Sequence, residues 1–521
     1  MKRINLHHAG WAMLILTLLL NLMACEPSDL SKASIIPKPV SIKASGEEFC
    51  MNDQTVIMVR GESAELTQVG QFLADKLNPS TGLGLKVQTT TEAPARGNIY
   101  LSLVDDKELG DEGYELNITE QMVELKANKA AGIFHGVQTI RQLLPARVES
   151  GAAEQGPWKM STGTIRDYPV YVYRGAMLDV ARHFFSVEEV KTYIDQLALY
   201  KMNVLHLHLS DDQGWRIEIK SWPRLTETGG KTEVGGGVGG YYTQDEYKGI
   251  VKYAQDRFIT IVPEIDMPGH TNAALASYPQ LNISGKTTQL YTGIEVGFST
   301  LDTHKESTYK FIDDVVRELA AITPGPWIHI GGDESHSTPI EDYIPFVNRV
   351  QDIVVSHGKQ ILGWDEIALS TLKPNSVVQY WAKAENAIKG VQQGAKVLMS
   401  PSKNAYIDMQ YDSTSIYGLH WAAYIEVDQA YNWDPANLVP EIKRENIIGI
   451  EAPLWSETVS NLDEAEYLLF PRLPGYAEIG WTPVEMRKWD NYKHRLKDHG
   501  DRMKAMGINF YPSKLVKWDK D

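Results

Sequence analysis

Residues 327–336 read Trp-Ile-His-Ile-Gly-Gly-Asp-Glu-Ser-His. The first four form a short, alternating, largely apolar run, the pattern of a β-strand. Gly331 and Gly332 end it, and Asp333 and Glu334 then stand side by side. Glycine lets the backbone turn sharply and keeps side-chain bulk away from whatever lies above. Adjacent carboxylates repel, so one tends to hold a proton near neutral pH. A proton donor beside an anion is what cleavage of a sugar bond requires. Taken alone, the stretch reads better as an ordinary acidic turn. Its surroundings decide otherwise.

Seven further runs have strand character: 174–179, 203–209, 260–265, 360–364, 377–381, 396–400 and 447–452, with 327–331 as fourth of the eight. Helical patterns lie between most of them, at 187–200, 244–256, 309–322 and 343–357. Eight parallel strand–helix units predict an α/β fold, a (β/α)8 TIM barrel over residues 166–521. Active sites on that fold gather at the C-terminal strand ends, and polar residues concentrate there in this chain.

The second strand runs through His206 and His208 to Asp211 and Asp212. The two histidines share one face. A metal site would need more ligands at other strand ends, and strands five and six end in Gly363-Trp364-Asp365-Glu366 and Gln379-Tyr380-Trp381. The histidines therefore read as core or supporting groups, and no metal or cofactor is expected. Asp211 and Asp212 lie past the strand end, where they can face a substrate. The third strand leads through Met267-Pro268-Gly269 to His270, placed over the barrel mouth, where it can pair with Asp211 and tune a nearby acid. Trp364, Trp381 and Trp455 follow strands five, six and eight, an aromatic box for a sugar face or a methyl group. Tyr406 and Asp408 follow strand seven at a spacing of two, and Trp455 and Glu457 repeat that spacing after strand eight. Gly230-Lys231-Thr232 has the end of a phosphate-binding loop, but Leu225 holds the place of the earlier glycine and no strand leads in. Residues 229–240 read instead as a mobile loop at the barrel mouth.

Upstream, residues 1–24 read as a lipoprotein signal peptide: Lys2 and Arg3, an apolar run too short for a stable anchor, then Leu22-Met23-Ala24-Cys25. Cys25 is the expected lipidation site, and residues 25–34 a polar tether. Glu26 after the cysteine points to export and delivery to the outer membrane of a bacterial envelope. Residues 35–165 read as a small α+β domain with strands at 55–59, 98–103 and 122–126 and helices at 63–77 and 130–143. Only Cys50 remains besides Cys25, so no internal disulfide framework and no cysteine metal cluster are available. The net charge of -16 argues against a nucleic-acid partner.

With these residues assembled, the chain resembles the family-20 β-N-acetylhexosaminidases. The carrying segments are 174–184, the His206–Arg216 run, the turn ending at His270, the one ending at Glu334, and the Trp364, Trp381, Tyr406/Asp408 and Trp455/Glu457 sites. The resemblance covers most of the chain after the signal. It implies hydrolysis of terminal β-linked GlcNAc or GalNAc from glycans, with no cofactor, by a retaining mechanism in which the substrate's acetamido oxygen attacks C1. Glu334 is then the acid and later the base, Asp333 orients the acetamido N–H as an anion, and Tyr406 donates to the acetamido oxygen. Trp364, Trp381 and Trp455, with Trp421, wall the pocket. Arg182 and Glu457 hold the outer hydroxyls, Asp408 adds a polar contact, and Asp211 and His270 support Glu334. Three other readings stay open: a lacto-N-biosidase-like enzyme releasing a disaccharide, a non-catalytic glycan-binding lipoprotein, and a retaining glycosidase with Glu366 or Glu457 as nucleophile.

Overall fold

The computed structural model describes residues 28–92 and 95–518. The expected export signal and Cys25 lie outside them. The chain first forms a seven-stranded sheet: β1 (Ser41–Met51), β2 (Val56–Arg60), β3 (Lys86–Thr90), β4 (Asn98–Leu103), β5 (Tyr114–Thr119), β6 (Met122–Ala127) and β7 (Trp158–Asp167). Their spatial order is β1-β7-β5-β6-β4-β2-β3. Helices Ala64–Thr81 and Ala130–Leu143 pack on it. Ser63 caps the first of these, accepting from the Leu66 N–H at 3.2 Å, and Gly82 ends it in the left-handed region. The strands expected at 55–59, 98–103 and 122–126 correspond to β2, β4 and β6; β1, β3, β5 and β7 were not anticipated, although β5 alternates strictly between buried and less buried positions.

Of the polar tether expected at 25–34, the described part from Ser28 onward lies against the folded body. Leu30 sits in a 3-10 turn, Leu30–Lys32, is fully buried, and packs against Gly163 of β7. Ser28 Oγ and Ser161 Oγ are hydrogen-bonded. Burying one leucine contributes about 2 kcal/mol, which is reason enough for this stretch to dock.

The second sheet is a closed barrel of eight parallel strands: β8 (Tyr173–Asp179), β9 (Val204–His208), β10 (Thr260–Glu264), β11 (Trp327–His329), β12 (Gln360–Trp364), β13 (Val377–Tyr380), β14 (Lys396–Met399) and β15 (Ile447–Leu454). β8 pairs with both β9 and β15, which closes the ring. Every residue of β8 and β9 is buried, as expected where a parallel sheet is covered on both faces. Helix Val187–Leu199, the first crossover, opens with a capping box between Ser186 and Glu189.

The two parts meet at Asp167, the last residue of β7. Its carboxylate accepts from Tyr114 Oη at 2.8 Å, Trp481 Nε1 at 2.8 Å and Lys201 Nζ at 3.1 Å. Asp167 and Lys201 are both fully buried, so each needs the other. Arg174 of β8 adds an ion pair at 2.6 Å to Glu112. Asp167→Ala leaves the Lys201 ammonium buried without its anion. The expected cost is about 3–5 kcal/mol, read as a lower urea midpoint at unchanged slope; a loss below about 1 kcal/mol would show that the junction does not depend on this pair.

Candidate active site

β11 is short because the chain must leave the barrel at once. Gly331 has φ 64°, and a Cβ there would lie 1.8 Å from Asp266 Oδ1. Only glycine fits. Gly332 follows at φ 99° and donates its N–H to the same Asp266 oxygen at 3.0 Å. The turn brings Asp333 and Glu334 over the barrel mouth, with Glu334 itself held at φ 43°. A non-glycine residue in that region costs on the order of 1–3 kcal/mol and persists only where the surroundings fix it.

Asp333 and Glu334 share one wall of a cavity of about 260 Å³. Four aromatic rings form much of the rest. Tyr406 and Trp381 are nearly parallel, 15° apart, and Trp421 meets both edge-on. Trp455 closes the ring 6.4 Å from Tyr406. Arg182 and Glu457 stand at the polar end, with the Arg182 guanidinium 4.9 Å from the Trp455 ring. Ile294, Val296 and Leu419 complete the walls. Sequence reasoning missed these three, since loops carry no periodic pattern. The loop bearing Ile294 and Val296 is tied down by carbonyls: Thr292 accepts from Gly235 N–H at 2.8 Å, Gly293 from Gln213 Nε2 at 2.9 Å, and Gly297 from Ser337 Oγ at 2.8 Å.

Behind the wall runs a file of charged groups. Asp211 accepts from Arg182 Nη2 at 2.8 Å, His208 Nε2 at 3.0 Å and His270 Nδ1 at 3.2 Å. Burial opposes its charge, but Arg182 and His270 outweigh burial and hold the carboxyl well below the usual range. For His270 the balance is reversed in sign. Burial disfavours its proton, yet Asp211 and Asp333 push its pKa up to about 10. The imidazolium Nε2 lies 3.7 Å from both Asp333 Oδ2 and Glu334 Oε2.

The surroundings of Asp333 oppose the negative charge expected there. Burial pushes its carboxyl well above the usual range, and Asp266 adds to this more than Glu334 does. Asp266, raised by burial and by Glu264, lies within 4.8 Å of Asp333. Asp333 is thus coupled more closely to Asp266, from a different strand end, than to its chain neighbour Glu334. Tyr406 keeps its phenolic proton, because burial and Asp408 push its pKa well up.

Several expected contact residues stand back from the cavity. Trp364 is fully buried and packs 5.6 Å behind Trp455. Asp211 and His270 are covered by Arg182, Asp333 and Glu334. Asp408 is buried toward Glu457, whose charge, after burial, raises its pKa. Asp212 does not face the cavity either: it accepts from Asn272 N–H at 2.9 Å and from Ser299 Oγ. Trp421, by contrast, is 57% exposed and stands at the rim. Glu366 lines a separate cavity of about 120 Å³ beyond Glu334, and its Oε2 accepts from Trp381 Nε1 at 3.0 Å. Burial and Asp365 push its pKa up to about 7. Loop 229–240, expected to be mobile, is fastened by the buried Arg216, which donates to the carbonyls of Gly230, Thr232 and Gly240. His206, Glu264 and His329 bring one possible ligand atom each within 4.8 Å of one another, although Glu264 and Glu451 already face the His206 nitrogens.

Comparison with known proteins covers both parts of the fold. The family model described as glycosyl hydrolase family 20, catalytic domain, covers residues 171–484, and that for domain 2 of the same family covers residues 32–168. A β-N-acetylhexosaminidase of Cellulomonas fimi is 41% identical over 93% of this chain and 97% of its own length. The solved β-N-acetylhexosaminidase of Streptomyces coelicolor A3(2) superposes with a TM-score of 0.91 at 49% identity, over 95% of this chain and 100% of that one. A mutant Streptomyces plicatus β-hexosaminidase, in complex with its product GlcNAc, gives the same TM-score and identity over 95% of this chain and 99% of its own. Both parts of the fold and the turn that presents Asp333 and Glu334 thus fall within matched segments, and the chain belongs to glycosyl hydrolase family 20.

Proposed function

We propose that the protein hydrolyses terminal, non-reducing β-linked N-acetylhexosamine from glycans, with retention, using the substrate's own acetamido group as nucleophile. The observation that carries this is the wall of the cavity. Beside Asp333 and Glu334 it holds one further carboxylate, Glu457, and that one faces the Arg182 guanidinium. Glu366, the other candidate nucleophile, lies outside it. The relative in complex with product GlcNAc supports the sugar assignment.

Glu334 gives its proton to the glycosidic oxygen as that oxygen leaves C1. The acetamido oxygen attacks C1 from the opposite face and forms an oxazolinium ion. Water then adds at C1, losing its proton to the Glu334 carboxylate, and the two inversions restore the configuration. The attack is intramolecular, which removes much of its entropic cost. Tyr406 donates to the acetamido oxygen. As positive charge grows on the acetamido nitrogen, Asp333 takes the anionic share of the Asp266/Asp333 pair and Asp266 keeps the proton. The aromatic ring of the cavity receives the sugar face and the acetamido methyl.

We further propose export and lipidation at Cys25, with attachment to the outer membrane. The support is sequence: an apolar run followed by Leu22-Met23-Ala24-Cys25. Among the described residues no helix is long and apolar enough to cross a membrane.

Matched chromogenic β-glycosides bearing 2-acetamido or 2-hydroxy groups test the mechanism. Release is expected from the 2-acetamido compounds alone; equal release from both would require a protein nucleophile. Asp333→Asn is expected to lower kcat by about 10²-fold or more, as for other electrostatic stabilisers, and a near-normal kcat would remove the assisted mechanism. Cys25→Ser, expressed in a bacterium, is expected to move the protein from the membrane to the soluble fraction. An unchanged distribution would refute the lipid anchor.

A further inference from the structure

Glu264 ends β10 beneath the catalytic turn, fully buried and off the cavity wall. Its Oε1 accepts the indole N–H of Trp364 at 2.9 Å and lies 2.9 Å from His329 Nδ1. Its Oε2 is hydrogen-bonded to His208 Nδ1 and lies 3.1 Å from His206 Nε2. The four partners come from β9, β11 and β12, so one carboxylate spans much of the barrel interior. A buried carboxylate persists only where donors meet its lone pairs. Here burial opposes the charge, and the surrounding histidines outweigh it, holding the group well below the usual carboxylate range.

Each Glu264 oxygen leads to a different wall of the site. Through Oε2 the path runs to His208, then Asp211, then His270, whose Nε2 stands 3.7 Å from Glu334 Oε2. His208 has a carboxylate at both nitrogens, Glu264 at Nδ1 and Asp211 at Nε2. Both nitrogens must donate, so the ring is an imidazolium. Through Oε1 the path runs to Trp364, which backs Trp455 on the cavity wall.

We infer that Glu264 is a positioning residue for proton delivery: it anchors the His208–Asp211–His270 file behind Glu334 and, from the same carboxylate, the Trp364 indole behind Trp455. The inference rests on Glu334 being the acid that protonates the leaving group. Glu264 touches neither the cavity nor Glu334; besides these neighbours it faces the Asp266/Asp333 pair, whose carboxyls its charge pushes up.

Glu264→Gln keeps the shape but replaces one acceptor oxygen with an amide donor. The Trp364 indole cannot shed its proton, whereas His208 can. The amide oxygen therefore stays with Trp364, and the NH2 group turns to His208. His208 must then give up its Nδ1 proton to accept, Asp211 loses a neighbouring cation, and the hold on His270 slackens.

The test is a series of aryl 2-acetamido β-glucosides differing only in the leaving phenol. A dinitrophenyl group departs without a proton, while an unactivated phenyl group needs one. For Glu264→Gln, kcat/KM is expected to fall about 10²-fold on the phenyl substrate and less than about threefold on the dinitrophenyl substrate. A general loosening of the fold lowers both by the same factor; that result, or no loss on either, overturns the inference. His208→Gln cuts the file while leaving Trp364 anchored, and is expected to show the same split. It decides alone if Glu264→Gln lacks a cooperative thermal transition. Glu334→Gln, run in parallel, must show the split more steeply. If it does not, the assignment of the acid has failed rather than the role of Glu264.

Discussion

Two carboxyl groups held together out of water, Asp266 and Asp333, set the terms for the rest of the site. Neither can carry its charge cheaply while the other does, so the pair shares a proton. Everything around them adjusts that sharing. The His270 imidazolium lowers the cost of a negative charge on Asp333, and Asp211 maintains the imidazolium. Gly331 exists to let Asp266 come close at all. A barrel with a bulkier turn here would separate the two carboxyls and lose the coupling along with the geometry.

The barrel was legible because its strands are buried on both faces and separated by helices with a clear period. The strand ends were legible because polar residues there interrupt otherwise apolar runs. That is why Glu334, Asp333 and Tyr406 were found where the cavity now stands, while Arg182 came from the family resemblance. Depth was not legible. Trp364 and Trp381 follow adjacent strands with the same local pattern, yet one is covered and the other lines the cavity, and only the packing of Trp455 between barrel and cavity separates them. Protonation was not legible either, because the carboxylate that matters most to Asp333 lies at another strand end.

Loops gave the least information and supply much of the enclosure. Glycine content suggested mobility for residues 229–240, but a distant arginine, Arg216, supplies the donors that fasten them. Likewise nothing in the sequence around Ile294 and Val296 announces a wall. Their placement follows from backbone carbonyls captured by distant donors, Gly235 N–H, Gln213 Nε2 and Ser337 Oγ, which leave no pattern in the loop's own sequence. Aromatic residues, by contrast, announce themselves by type and were over-assigned to the surface of the cavity.

The docking of Leu30 has a mechanical consequence. If a lipid is carried on Cys25, only a few residues separate it from the point where Ser28 and Leu30 join the folded body. Fully extended, that leash reaches about 10–14 Å. The enzyme could neither swing out from the bilayer nor reorient freely, and would sample glycans only within a thin layer at the membrane surface.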